Sequence, residues 1–119
     1  MNFSESLKRN QDFRHVYADG KSYANRYLVM YVMDNHTERN RVGISVSKKV
    51  GNSVVRHRIT RLIRESYRLN ENCFKNGLDI VVIARVTAKG TRYRDIESAL
   101  MHLAGIHKIV KKRDCDENN

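Results

Sequence analysis

Proline and tryptophan are absent from this 119-residue sequence, which has only 6 glycines and 2 cysteines. That scarcity excludes a Pro- or Gly-rich linker and a low-complexity tract, and no internal repeat is visible. Cys73 and Cys115 lie far apart, the second in a polar tail. They do not make a disulfide framework, and a reducing compartment fits them. No stretch approaches the ~18 to 20 apolar residues that a membrane-spanning helix needs, so no membrane partner is expected. The opening Met-Asn-Phe-Ser-Glu-Ser-Leu-Lys-Arg-Asn lacks an apolar signal core, which makes the cytoplasm the expected location.

Acid is scarce too. The chain has 13 Asp and Glu against 23 Lys and Arg, a formal charge of +10. Three of the acids fall in the last six residues, so the body before them holds 23 cations against 10 acids, or +13. Such an imbalance points to a polyanionic partner, most simply nucleic acid. The length suits one small domain, and 40% hydrophobic residues give it a modest core. That domain is expected over residues 1–113, followed by an acidic, disordered and dispensable tail over 114–119.

Helical spacing of Phe13, Val16 and Tyr17 predicts a helix capped by Asn10, running to about Ala18 and stopped by Gly20. Residues 26–33 alternate as a strand, with Tyr27, Val29, Tyr31 and Met33 on one face and Leu28, Met30 and Val32 on the other. The all-polar segment 34–40 reads as a hairpin loop leading to a second strand at 41–47 and a turn at 48–52. From Ser53 to about Asn70, Val55, Ile59, Leu62, Ile63 and Ser66 share one side of a helix. His57, Arg61, Arg64 and Arg68 fall opposite, with Arg56 and Arg58 on the two shoulders. Residues 78–84 are nearly all apolar, as in a strand buried on both faces. Thr91 then opens a last helix to about Lys111, carrying Ile96, Leu100, Leu103, His107 and Val110. The order helix, strand, strand, helix, strand, helix makes a small single-domain α+β protein, an α/β sandwich.

No catalytic residue is assigned. His102 and His107 are five apart and do not share a helical face, and neither cysteine has a neighbouring Cys or His. The acids form no pair suited to two divalent ions, and neither a nucleophile elbow nor a glycine-rich phosphate loop is present. No protein metal site is expected.

Residues 48–68 are the sharp feature, with seven basic side chains (Lys48, Lys49, Arg56, Arg58, Arg61, Arg64, Arg68) and one acid, Glu65. An ordinary solvated helix face mixes signs; this one repels itself at (i, i+4) spacing unless a polyanion binds it. The free amides where this helix starts, beside Lys48 and Lys49, suit a phosphate. Arginine outnumbers lysine, and its planar fork holds phosphate through two hydrogen bonds. Phe13, Tyr17 and Tyr31 could stack on unpaired bases. On the residues alone, though, Phe13 and Tyr17 fit core packing better.

The run from Gly43 to Glu65 closely resembles the signature of the bacterial ribonuclease P protein subunit. It contains Gly43-Ile44-Ser45-Val46-Ser47-Lys48-Lys49, then Val50-Gly51-Asn52, Arg56-His57-Arg58 and Arg61-Leu62-Ile63-Arg64. Supporting matches are Leu7-Lys8-Arg9, Asp12-Phe13, Ala24-Asn25-Arg26 and the strand from Ile80, so the resemblance spans about residues 7 to 110. It implies a sandwich with a left-handed β-α-β crossover. It also implies an accessory role to a catalytic RNA, in a 1:1 ribonucleoprotein, that removes the 5′ leader of precursor tRNA. Mg2+ would be held mainly by the RNA, and the free protein would be a monomer. Carried over by position, Lys48, Lys49, Asn52, Arg56, His57, Arg58, Arg61, Arg64 and Arg68 would face the catalytic RNA. Phe13, Tyr17 and Tyr31, with Lys8 and Arg9, would meet the leader, which reverses the core-packing expectation for the first two. Two positions depart from the pattern. His57 stands where the family has Asn, and Thr60 where it commonly has Lys. A rival reading is a structural, ribosomal-type RNA-binding protein with no catalytic partner.

Overall fold

The computed structural model describes residues 3–111, so the expected acidic tail lies outside the described residues. Five strands form one sheet in the order β1-β4-β5-β3-β2: β1 (Glu5–Ser6), β2 (Lys21–Ala24), β3 (Leu28–Asp34), β4 (Arg41–Ser45) and β5 (Leu78–Ala84). Three helices accompany them: α1 (Asn10–Asp19), α2 (Ser53–Asn70) and α3 (Tyr93–Ile106). The small α+β class and the order of the helices are as expected; β1 and β2 are additional. All four residues of β2 are exposed, and β1 is 2 residues long. Neither offers the apolar alternation by which a strand is read.

β5 holds the centre, parallel to β4 and antiparallel to β3. The expected β3–β4 hairpin is therefore not formed. Asp34 ends β3 and residues 35–40 form a loop, but β5 lies between the strands it joins. A strand apolar on both faces requires cover from both sides, which α2 and α3 supply on one face and α1 on the other. β4, α2 and β5 make a parallel β-α-β unit.

The two sheet faces differ in cover. Ile80, Val82 and Ala84 of β5 join Leu28, Met30 and Val32 of β3 in the main core, with Ile59, Ile63 and Tyr67 of α2 and Ile96, Leu100 and Leu103 of α3. The other face has a smaller cluster of Leu7, Val16 and Val81, with Phe13, Tyr31, Met33 and Ile83 packed against it. Tyr67 is 1% exposed, a core member that the apolar-stripe reading of α2 leaves out. Its hydroxyl bonds Ser4 Oγ at 2.7 Å and accepts from Asn40 Nδ2 at 3.2 Å.

Three local expectations are corrected. Arg9, not Asn10, is the N-cap of α1 and makes no side-chain cap bond, while Asp12 in the first turn complements the helix dipole. α3 begins at Tyr93 because Thr91 turns its hydroxyl to the Ala88 carbonyl (2.6 Å) and Asp95 accepts the Arg92 amide (3.0 Å). It ends at Ile106, where the chain turns through Lys108 at φ +60°. Val110 then bridges to Phe74 instead of continuing the helix. Cys73 closes the 3-10 turn Glu71–Cys73. No described helix is long and apolar enough to cross a membrane.

Candidate nucleic-acid interface

α2 starts where β4 and the turn after it end. Asn52 caps it, its Oδ1 accepting the Val55 amide at 3.0 Å. That oxygen is therefore a structural group, and only the amide NH2 remains to donate outward. Lys48 and Lys49 are exposed in the turn just before. Along the helix, His57, Arg61, Arg64 and Arg68 form an exposed row while Ile59, Ile63, Ser66 and Tyr67 are buried behind it.

Arg68 is engaged by Glu65, its Nε 3.0 Å from Oε2 with a second bond to Oε1. The hydrogen bond from Arg68 holds the Glu65 carboxyl below its ordinary pKa. Among the described residues Lys48, Lys49, Arg56, Arg58, Arg61 and Arg64 enter no ion pair.

The two shoulder arginines behave differently. Arg58 is tied down, its guanidinium donating to the Thr91 carbonyl at 2.6 Å. Arg56 is half-buried, and its Nε is an enclosed donor with no hydrogen-bond partner. Thr60 turns its hydroxyl back to the Arg56 carbonyl (2.9 Å) and adds nothing to the charged row.

On the opposite face of the sheet, a cleft of about 460 Å³ lies between α1 and the C-terminal end of β4, lined by Asn10, Phe13, Arg14, Tyr17, Ile44 and Ser45. Tyr17 is 37% exposed and Phe13 half-buried, so both are partly open to solvent. The three rings form a chain: Phe13 to Tyr17 at 6.3 Å, then Tyr17 to Tyr31 edge-on at 5.0 Å. Burial pushes the Tyr17 hydroxyl above its usual pKa, against the pull of its bond to Ser45 and with help from Tyr31. It is a neutral hydroxyl at physiological pH. Lys8 and Arg9 are exposed just ahead of α1 and are not among the residues lining the cleft.

The sequence reading leaves out Asn10, Arg14, Ile44 and Ser45. The signal was available on α1, where positions 10, 13, 14 and 17 form one helical stripe. Ile44 and Ser45 run through Val46 into Ser47 and Lys48, so the chain leads directly from the cleft wall to the turn before α2. No group of three or more His, Cys, Asp or Glu side chains among the described residues comes together as a metal site.

A cationic helix row and a partly open aromatic cleft, on one small α+β domain, are features of the RNA-binding class. The ribonuclease P family model matches residues 1–108. The chain is 64% identical over 115 residues to the ribonuclease P protein component of Lachnoclostridium phytofermentans, covering 97% of this chain and 99% of that one. To the corresponding protein of Alkaliphilus metalliredigens it is 54% identical over 110 residues, covering 92% and 99%. The fold is similar to the solved RNase P protein of Staphylococcus aureus (TM-score 0.84, 39% identity, 91% and 99% of the two chains). It also matches that of Thermotoga maritima (TM-score 0.76, 31% identity, 83% and 94%). The chain belongs to the ribonuclease P protein family. It is a protein component of that endoribonuclease ribonucleoprotein, so it has an RNA partner.

Proposed function

We propose that α2 and the turn before it dock on the catalytic RNA, while the cleft beside α1 takes the single-stranded 5′ leader of precursor tRNA. One observation carries the first half: the α2 row and the Lys48–Lys49 turn are cationic, exposed and almost free of internal ion pairs. Self-repulsion of that kind is relieved by phosphates. Arg56, half-buried and in no ion pair among the described residues, adds to that charge. In the cleft, rings that are partly open can stack on bases of any sequence, and Asn10, Arg14 and Ser45 can donate to backbone or base edges.

The family resemblance brings magnesium with it, but the described residues of this chain offer no donor set for the ion. Following the resemblance, we assign the ion, and with it the hydrolytic chemistry, to the RNA. The protein binds, orients and neutralises. By lowering phosphate repulsion between catalytic RNA, leader and substrate, it reduces the magnesium needed for a productive complex. A 1:1 ribonucleoprotein in the cytoplasm, with a monomeric free protein, completes the proposal.

The test is cleavage of a 5′-extended precursor tRNA at low magnesium by protein alone, catalytic RNA alone, and both. The expected result is cleavage in the mixture only. No gain over RNA alone would overturn the proposal and favour a purely structural RNA-binding role. For the cleft, Phe13→Ala is expected to weaken binding of leader-bearing precursor while leaving leaderless tRNA unaffected. Equal loss on both counts against it.

A further inference from the structure

On the sheet face under α1, Arg41, Asp79 and Met33 make one row across three strands, and Gly43, Val81 and Tyr31 make the next. The second row lies under the aromatic chain of the cleft; the first closes the cleft's neighbourhood with charge. Asp79 is 1% exposed in the middle of the sheet. Arg41 grips it with two bonds, Nε to Oδ1 at 2.9 Å and Nη2 to Oδ2 at 2.6 Å, and Asn35 Nδ2 adds a third at 3.0 Å. With Nε and Nη2 committed, the guanidinium plane is fixed. Its remaining nitrogen, Nη1, faces α1 and stands 3.9 Å from Oδ2 of Asp12.

α1 is lightly attached otherwise. Val16 is its one buried residue, and its N-cap makes no side-chain bond. Asp12 directly precedes Phe13, the ring that begins the aromatic chain. A buried carboxylate in the central strand is thus connected, through one oriented arginine, to the helix turn that carries the cleft's wall.

We infer that Asp12 and Arg41 are positioning residues that fix the first turn of α1, and with it Phe13, at the height over β4 that the leader requires. The inference rests on the reading of the cleft as the leader site. Asp12 touches no substrate in this scheme and acts through Phe13. The pair is partly exposed, the side chains 24% and 35% accessible, so it adds little to global stability. Its effect falls on the angle of one helix.

The experiment uses holoenzyme assembled with wild-type protein, Asp12→Asn, Asp12→Glu, Arg41→Lys and Phe13→Ala. For each, KM and kcat are measured with leader-bearing precursor, along with affinity for leaderless tRNA, affinity for the catalytic RNA, and melting temperature. Asp12→Asn is expected to raise KM for the leader-bearing precursor about two- to fivefold, the range a pair of this exposure can supply. The other readouts should stay at wild-type values, and Asp12→Glu should restore KM. Arg41→Lys keeps a charge beside Asp79 but cannot reach both carboxylates in the same way, and should reproduce the Asp12→Asn shift. An unchanged or lower KM for Asp12→Asn, or an equal loss with leaderless tRNA, overturns the inference. If Phe13→Ala itself leaves leader discrimination intact, the cleft reading fails and the inference falls with it. Loss in Phe13→Ala but not in Asp12→Asn refutes the inference alone.

Discussion

Phe13 lies on the backbone of Gly43: a Cβ built at Gly43 would fall 2.6 Å from Phe13 Cζ and 2.7 Å from Cε1. The glycine is there for contact, not for an unusual backbone angle. Gly43→Ala is expected to lift the ring from its seat at a cost of about 1–3 kcal/mol of overpacking. It should lower affinity for leader-bearing precursor and leave catalytic-RNA binding alone. Unchanged melting and unchanged leader discrimination would show that the ring does not depend on that seat.

Arg61 and Arg64 stand exposed without ion pairs, whereas Arg68 is held by Glu65. Replacing both Arg61 and Arg64 with Ala should flatten the salt dependence of catalytic-RNA binding by roughly 1.5 in log–log slope. Arg68→Ala should cost less than either single change, and Glu65→Gln should tighten binding by releasing Arg68. Titrations over a salt series decide it; an Arg68→Ala loss as large as that of Arg61→Ala contradicts the ranking.

Arg56 sets stability against affinity. Its enclosed Nε lacks a partner, so Arg56→Met is expected to leave the free protein as stable or about 1 kcal/mol more stable. The same change should weaken catalytic-RNA binding. Denaturant melts of the free protein beside RNA titrations test both halves, and a marked destabilisation would show that the arginine serves the fold.

His107 gives the free protein a pH dependence. Its Nε2 lies 2.9 Å from the Met30 carbonyl, and Tyr23 packs edge-on at 4.7 Å. Burial lowers its pKa, opposed by the bond to Met30 and reinforced by Lys21. The fold therefore prefers the neutral ring. This contribution is complete above the ordinary histidine value of about 6.5 and is lost as pH falls through the lower folded value. Melting temperature should drop between pH 7.5 and pH 5 by more in the wild type than in His107→Gln. Parallel curves would remove His107 from the explanation.

How legible the molecule was depended on whether a signal is local. The α2 residues declared themselves because burial and charge follow one helical period over five turns, and the doubly apolar β5 was readable for the same reason. Tyr67 escaped because an aromatic hydroxyl beside two arginine positions looks polar until Ser4 and Asn40, distant in sequence, supply its partners. The strand order was not legible. Nothing in residues 34–40 says that β5, more than thirty residues further on, separates β3 from β4. The Arg58–Thr91 bond is likewise a tertiary fact about a residue whose type suggests only RNA contact, whereas the Asn52 cap is local, reaching only to Val55. The aromatic cleft was named by resemblance alone, since Phe13 and Tyr17 have the spacing of core residues and are only half that.

The unequal cover of the sheet sets an order of local opening. α1 anchors through one buried side chain, α2 through four and α3 through five. Amide protons of α1 should therefore exchange with solvent before those of the other helices, through an opening that leaves the main core intact. A strand of RNA lying along α1 would close that opening as it binds, so that ligand capture and the ordering of this helix become one thermodynamic event. On the proposed reading, the face that takes the leader would become fully rigid only with RNA bound.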